Sequence, residues 1–212
     1  MRKIEKSTWD RREIYDFFAG ISNPFYMVSF TVDVTELKVF TKRHDCSFYY
    51  SLIYLCTQAL NSVENFLYTC RNGEIYLLDG REPSFTDRKP DSELFHIVSL
   101  PVHGDILTFC RTAKEVSRNQ QGFIDMSREG DHLAYYSCLP TLRLTALTNE
   151  SDLLSPGFAE SSIPRITWGK YTENRGRWEL TISMEVNHRF VDGLHIEKFA
   201  ARLASLIAEL EA

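Results

Sequence analysis

Hydrophobic residues recur along the chain with two periods, one of roughly 3.6 residues and one of two, which are typical of helices and strands respectively. The helical period predicts helices over Asp10–Gly20, Thr35–Arg43, Asp105–Arg118, from a Ser47 cap through Leu60, and from Gly193 through Leu210. Runs rich in β-branched and aromatic residues predict strands over Phe25–Val34, Glu74–Leu78, Phe95–Val102, Ile166–Tyr171, and His132–Leu147 with a break at Pro140. Small and polar residues between Asn149 and Pro164 predict a long loop.

One strand near the C-terminus alternates cleanly, and a hairpin loop over 173–177 is expected before it. Its apolar face carries Trp178, Leu180, Ile182, Met184, Val186 and His188, and its polar face carries Glu179, Thr181, Ser183, Glu185 and Asn187. Because successive side chains point to opposite faces, His188 is expected at the end of an apolar stripe, just before a tight turn. Asp192 is expected to cap the next helix, whose apolar side carries Leu194, Phe199, Leu203, Leu206, Ile207 and Leu210.

Length and composition predict one soluble globular domain. The 212 residues are 43% hydrophobic and 25% charged, without a repeat or linker that divides them, so residues 1–212 are expected to form a single mixed α/β domain. The net charge of -5 comes with no basic stripe, which argues against a nucleic-acid partner. A charged N-terminus and the lack of a long apolar run argue against a signal peptide and a membrane span.

The cysteines point to a reducing compartment, the cytoplasm. They are Cys46, Cys56, Cys70, Cys110 and Cys138, an odd number without paired CxxC spacing. Such cysteines are expected to be small buried hydrophobes or bystanders instead of a disulfide framework.

His188 is the leading candidate for chemistry. A histidine at the end of an apolar strand face is partly shielded from water, which favours the neutral form that a general base needs. The same pattern also fits a core histidine, with Asp192 acting only as a helix cap. His188, Asp192 and His195 are acceptable metal ligands, but no paired Cys or His spacing supports them, so no metal site is expected.

Several segments together resemble the chloramphenicol acetyltransferase family. Residues 188–195, His-Arg-Phe-Val-Asp-Gly-Leu-His, resemble the family's His-x-x-x-Asp-Gly-x-His signature. Trp9–Glu13 resembles its N-terminal Trp-x-Arg motif, Ser137–Pro140 its Ser-Ala-Leu-Pro segment, and Thr167–Tyr171 its Thr-Met-Gly-Lys-Tyr strand. The likeness runs from about Trp9 to the C-terminus. It implies a two-layer α/β fold in which helices pack on a mixed β-sheet.

The resemblance also implies a reaction and a role for particular residues. It implies an O-acetyltransferase that moves the acetyl group of acetyl-CoA to a hydroxyl of a small molecule, with chloramphenicol favoured as the acceptor. Antibiotic resistance is a property associated with this family, and the sequence leaves open whether it results here. His188 would be the general base and Ser137 the oxyanion donor, while an Arg11–Asp192 ion pair would support the site. Positions lining the acetyl-CoA site would be Lys170, Tyr171 and Thr167, and acceptor-pocket residues would be Phe17 and Phe18. The resemblance further implies a homotrimer with its sites between subunits.

The match is weaker at several positions. Asn187 stands where the family usually has histidine, and Ser47 and Thr141 stand where it often has lysine and tryptophan. Pro24 and Asn149 replace residues that are more often apolar or small. These differences leave the acceptor open, and two other hypotheses remain. The first is a dihydrolipoamide acyltransferase catalytic domain, because Asn187-His188-Arg189 is similar to the Asp-His-Arg motif of those domains. The second is a binding protein that has kept the same fold but has lost catalytic turnover.

Overall fold

The computed structural model describes residues 1–89, 91–155 and 157–210, whose regular elements are five α-helices, ten strands and four short 3-10 helices. The helices are α1 (Arg12–Ala19), α2 (Thr35–Arg43), α3 (Phe48–Asn61), α4 (Ile106–Asn119) and α5 (Gly193–Ala208). The strands are β1 (Arg2–Lys3), β2 (Phe25–Asp33), β3 (Tyr68–Arg71), β4 (Glu74–Leu77), β5 (Glu82–Arg88), β6 (Phe95–Ser99), β7 (Leu133–Cys138), β8 (Arg165–Trp168), β9 (Thr172–Asn174) and β10 (Arg177–Asn187).

Seven strands form one mixed sheet in the order β2-β10-β8-β7-β5-β6, with β9 paired to the start of β10. β7 runs parallel to β5 and β8, and the other neighbours are antiparallel. β1, β4 and β3 form a small separate sheet. Helices pack on one face of the large sheet, where the Tyr136 hydroxyl of β7 lies 2.9 Å from the Thr57 hydroxyl of α3. The predicted α/β fold with helices packed on a mixed sheet is confirmed.

The start of α3 follows the predicted Ser47 cap, and α4 starts at a similar cap, Asp105, that was not predicted. The Ser47 hydroxyl accepts a hydrogen bond from the Tyr50 backbone N–H at the start of α3 (3.3 Å), and the Asp105 carboxylate does the same for Thr108 in α4 (2.7 Å). The prediction for Leu194 is wrong, because this side chain is 57% exposed. At about 100° per residue it lies almost opposite Leu203, and Ile196 completes the buried side of α5 instead.

The segment after Pro140 also differs from its prediction, because the strand ends at Cys138. Residues 141–147 form no strand; they run across the sheet face that the helices leave uncovered. The backbone at the end of this segment binds side chains of β10: the Leu147 N–H donates to the Ser183 hydroxyl (3.0 Å), and two residues later the Asn149 N–H donates to the Glu185 carboxylate (3.1 Å). The predicted loop that follows is confirmed for residues 149–155 and 157–164, apart from one 3-10 turn at Phe158–Glu160.

Candidate active site

The turn after β10 places His188 between two aromatic rings. Its backbone N–H donates to the Pro24 carbonyl (2.9 Å), which fixes the turn against the start of β2. Its imidazole stacks on Phe18, with ring centroids 4.1 Å apart, and lies 4.4 Å from the ring of Tyr26. Burial against these rings lowers the pKa of His188 below its ordinary value. The ring is therefore neutral at pH 7, which is the form that can accept a proton.

Arg11 clamps the same turn from the N-terminal side of α1. Its guanidinium donates to both carboxylate oxygens of Asp192 (2.5 and 2.6 Å), and it also donates to the backbone carbonyls of His188 (2.9 Å) and Arg189 (2.8 Å). The Arg11 side chain is buried and that of Asp192 is 32% exposed. Hydrogen bonding to Arg11 lowers the pKa of Asp192, so the carboxylate is ionised. The pair therefore fixes the backbone that carries His188.

Of the three residues with side chains that could bind a metal, Asp192 and His195 already have protein partners. Asp192 is bound by Arg11, and its backbone N–H donates to Nδ1 of His195 (2.9 Å), at the start of α5. Nε2 of His188 lies 3.5 Å from Oδ1 of Asp192. Within the described part of the chain, no group of three or more His, Cys, Asp or Glu residues is placed to hold a metal ion.

Ser137 and Thr167 form a second cluster, in the middle of the sheet. They are register partners on the parallel strands β7 and β8, and their hydroxyl oxygens are 3.0 Å apart. Thr167 is also the register partner of Ser183 on β10. All three point away from the helices, because residues at alternate positions, such as Tyr136 and Ile166, face the core. The Ser137 hydroxyl is thus held beside a second hydroxyl and aimed at the face beneath residues 141–147.

Polar side chains also occupy the neighbouring row of that face, which we call the polar row. It crosses five strands in register through Ser99, Ser84, Tyr135, Arg165 and Glu185. None of these residues is exposed. The polar row lies two residues along the strands from Ser137 and Thr167, a spacing of about 7 Å.

A cavity of about 330 Å³ joins the Ser137–Thr167 cluster to the polar row. Its lining residues are Ser84, Phe85, Thr86, Ile97, Ile124, Glu129, Tyr135, Tyr136, Ser137, Asn149, Glu150, Arg165 and Thr167. This volume lies at the lower end of the range for small-molecule sites. His188 is not part of the lining.

His188 is remote from Ser137 within one chain. Thr167, the register partner of Ser137, pairs with Ser183, and His188 follows five residues later on the same segment. Five residues of extended chain span about 16 Å, and the two intervening strand spacings add about 10 Å sideways. The two candidate catalytic groups of one chain are therefore roughly 15–20 Å apart, too far to contact the same reacting carbonyl.

The other predicted site residues lie in three places. Phe18 contacts His188, whereas Phe17 points outward from α1 and is 71% exposed. Lys170 and Tyr171 lie beyond the end of β8, on the far side of Thr167 from the polar row; Lys170 is exposed, and Tyr171 packs 5.0 Å from the ring of Phe48. The ammonium of Lys38, a residue that the sequence did not single out, lies 5.1 Å from the Tyr171 ring centroid.

Comparison with known proteins identifies the family. The chloramphenicol acetyltransferase family model matches residues 1–204. The chain belongs to this family. It is 27% identical to chloramphenicol acetyltransferase 3 of Escherichia coli over 96% of this chain and 95% of that one, and 26% identical to the Streptomyces acrimycini enzyme over 97% and 94%. As a member of the chloramphenicol acetyltransferase family it is an acetyltransferase, which argues against the non-catalytic binding protein.

Solved structures support the fold of the family. A chloramphenicol acetyltransferase structure superposes with a TM-score of 0.86 at 22% identity, covering 98% of this chain and 100% of that chain. The cubic core of a pyruvate dehydrogenase complex superposes with a TM-score of 0.67 at 18% identity, covering 93% and 88%. The second likeness shows a shared fold only. Among the described helices, none combines the length and apolar character needed to cross a membrane.

Sequence reasoning missed several residues of the site. Tyr26 lies on β2 opposite Val186, and this cross-strand pairing brings its ring to His188. Asn187 was noted only as a departure from the family motif, but it donates its amide to the backbone carbonyls of Ala159 and Ser161 (2.9 Å each), which ties the loop before β8 to the turn. Glu129, in the cavity wall, comes from a loop. These contacts join distant segments, so no local pattern signals them; only the clean alternation of β10 could have drawn attention to its polar face.

Proposed function

We propose that this chain transfers the acetyl group of acetyl-CoA to a hydroxyl of a small molecule, with His188 as general base and Ser137 as oxyanion donor. The observation that carries the proposal is the position of the His188 imidazole, held between two rings on a turn that Arg11 fixes. A neutral imidazole in a rigid setting is what general-base catalysis requires. The family supports the choice of acetyl transfer.

The steps follow from the chemistry of these groups. An unprotonated ring nitrogen of His188 takes the proton of the acceptor hydroxyl as its oxygen attacks the thioester carbonyl. The oxyanion of the tetrahedral intermediate accepts a hydrogen bond from Ser137, whose position Thr167 supports. Collapse breaks the carbon–sulfur bond, and the CoA thiolate receives the proton from the imidazolium. The negative charge of Asp192, 3.5 Å away, stabilises that imidazolium in the interval.

A site built from His188 and Ser137 requires two copies of the chain, because within one chain they are separated by roughly 15–20 Å. We propose a homotrimer in which His188 of one subunit faces Ser137 of the next. The outward side of α1 and the turn after it support a subunit contact next to His188, since Ile14 (41%), Phe17 (71%) and Ile21 (39%) are all exposed apolar residues. Phe17 and Phe18 would then lie where the acceptor enters.

Acetyl-CoA would approach Ser137 from the end of β8. Lys170, Tyr171 and Thr167 lie in sequence along that approach, and Lys38 adds a second positive charge beside Tyr171. These cations suit the phosphates of CoA. We place the enzyme in the cytoplasm, because all five cysteines are free thiols, which a reducing compartment preserves.

The first experiment measures release of free CoA thiol from acetyl-CoA, with and without chloramphenicol. Chloramphenicol is chosen because the names of the related enzymes give it as the acceptor. Thiol release that depends on chloramphenicol is expected, and His188→Ala should abolish it. His103→Ala is the matched control, because His103 is an exposed histidine on a loop outside the site. Retention of substantial activity in His188→Ala would remove His188 as the base. Release with other alcohols but not with chloramphenicol would keep the reaction and replace the acceptor.

A further inference from the structure

The cavity beside Ser137 lies on the acceptor side of the proposed reaction. Along β8, Lys170 and Tyr171 follow Thr167, whereas Arg165 and the polar row precede it. A thioester that reaches Ser137 from the Tyr171 end therefore leaves the cavity to the other substrate. The acceptor would place its hydroxyl near Ser137 and Thr167 and the rest of its structure against the polar row, about 7 Å further along the strands.

The charge on the cavity wall is negative. Within the described ranges, Glu129 accepts two hydrogen bonds, both long, from the hydroxyls of Tyr135 (3.3 Å) and Ser99 (3.4 Å). Among the described residues, no basic side chain lies within ion-pair distance of Glu129. The positive charge of Arg165 is matched by Glu185 at 3.3 Å, and the exposed Glu150 adds a further negative charge at the rim.

We propose that Glu129 selects an acceptor alcohol that carries a cationic group, such as a quaternary ammonium or a protonated amine. This inference rests on the proposed acetyl transfer and narrows its acceptor. A half-buried carboxylate interacts more strongly with a cation than an exposed carboxylate does, because water screens the pair less. A neutral acceptor such as chloramphenicol leaves Glu129 without a counter-charge and must displace water from the polar row without replacing every hydrogen bond.

The test compares two series of alcohols that differ only in charge. One carries a trimethylammonium group and the other a neutral tert-butyl group, each separated from the hydroxyl by two to five methylenes. Neither series can be acetylated on nitrogen. We expect kcat/KM to be about tenfold higher for the cationic member of a pair, with the largest ratio at the length that spans Ser137 to Glu129. Chloramphenicol serves as the neutral reference.

Variants of Glu129 test whether this residue causes the preference for cationic alcohols. Glu129→Gln removes the charge at nearly constant size and should bring the ratio close to one, while Glu129→Asp should retain part of it. The matched control is Glu197→Gln, an exposed carboxylate of α5 on the helical side of the sheet, which should leave the ratio unchanged. Equal turnover of cationic and neutral alcohols, or a ratio unaffected by Glu129→Gln, would overturn the inference while acetyl transfer itself stands.

A direct binding measurement separates the two proposals. If no alcohol and no chloramphenicol supports thiol release, the proposed acetyl transfer fails. Calorimetric titration of the trimethylammonium alcohols then shows whether the cavity binds a cation through Glu129. Binding that Glu129→Gln weakens at least tenfold would still support the assignment of Glu129 as a cation-binding residue. If the trimethylammonium alcohols do not bind, or bind equally to the wild type and to Glu129→Gln, that assignment is overturned.

Discussion

A mixed oligomer would test whether His188 and Ser137 act across subunits. His188→Ala chains retain Ser137, and Ser137→Ala chains retain His188, so each variant lacks one half of every site in its own homotrimer. The two residues of one chain are roughly 15–20 Å apart, and no side-chain movement closes that separation. Only a contact between the two kinds of chain can therefore restore a complete site.

The expected recovery follows from the symmetry. In the proposed cyclic trimer each site would combine His188 of one subunit with Ser137 of the next. Any trimer that contains both kinds of chain has one intact site, one lacking both groups and one lacking a single group. Mixed trimers should thus show about a third of the wild-type rate. Removing one oxyanion donor costs about 10²–10³ in kcat, so Ser137→Ala trimers alone contribute little background.

The assay is thiol release by trimers from co-expression, with a different affinity tag on each variant so that two purification steps isolate mixed assemblies. The two homotrimers, mixed after purification, are the control for activity without subunit exchange. Co-expressed and doubly purified protein that is no more active than Ser137→Ala alone would refute the shared site. A light-scattering mass equal to one 24.6 kDa chain would refute the trimer itself.

The remaining predictions concern single groups of the site. Ser137→Ala should lower kcat about 10²–10³-fold with little change in the KM for acetyl-CoA, because the oxyanion forms only after the ground state; steady-state kinetics will show an unchanged kcat if Ser137 is not the donor. Asp192→Asn leaves the buried Arg11 charge without its partner, and because Asp192 is about a third exposed we expect a loss of about 2 kcal/mol in unfolding free energy by urea denaturation; an equal midpoint would contradict a structural role for the pair. Because burial lowers the pKa of His188, the acid-side midpoint of the pH profile of kcat/KM should lie below the ordinary histidine value, and Phe18→Ala should move that midpoint upward by hydrating the ring; an unchanged midpoint in Phe18→Ala would show that stacking on Phe18 does not set the pKa of His188.

Local patterns predicted much of the fold because they are set by neighbours in sequence. The start and end of α2 agree with the prediction, and β10 covers the alternating segment as far as Asn187, with His188 just beyond its end. The hairpin before β10 is tighter than predicted: Arg175 and Gly176 both adopt positive φ and form a two-residue turn, so pairing reaches Asn174 and Arg177. The composition of 173–177 indicates a loop, but its exact length depends on these two backbone conformations.

Long-range contacts account for what the sequence did not predict. Arg81 is an example. Its buried guanidinium donates to five backbone carbonyls, those of Phe66, Tyr68, Asp131, Leu133 and Ser162. Nothing near Arg81 in sequence distinguishes it from an exposed arginine. The family resemblance supplied the candidate roles of His188 and Ser137, while their separation within one chain follows from strand register, which the sequence alone did not provide.

The sequence predicted which residues form the polar face of β10, but it did not predict that this face is buried. Ser183, Glu185 and Asn187 are buried at 2, 7 and 2% exposure under the segment that follows β7. Alternation shows only that two faces differ, and a solvated polar face gives the same pattern as one covered by a loop. Two N–H groups of the covering segment, those of Leu147 and Asn149, are bound by the side chains of Ser183 and Glu185 and not by a neighbouring strand, so the apolar residues of the segment suggested a strand wrongly.

A buried polar row demands a reason beyond stability. Replacing a buried ion pair such as Arg165–Glu185 by well-packed apolar residues is often neutral or stabilising, because both charges must be removed from water. The fold itself therefore does not require polar side chains across five strands next to Ser137. A substrate that carries its own charge and hydrogen-bonding groups does require them, since an apolar wall would leave those groups unpaired. This difference between stability and recognition is why we assign the row and Glu129 to the acceptor.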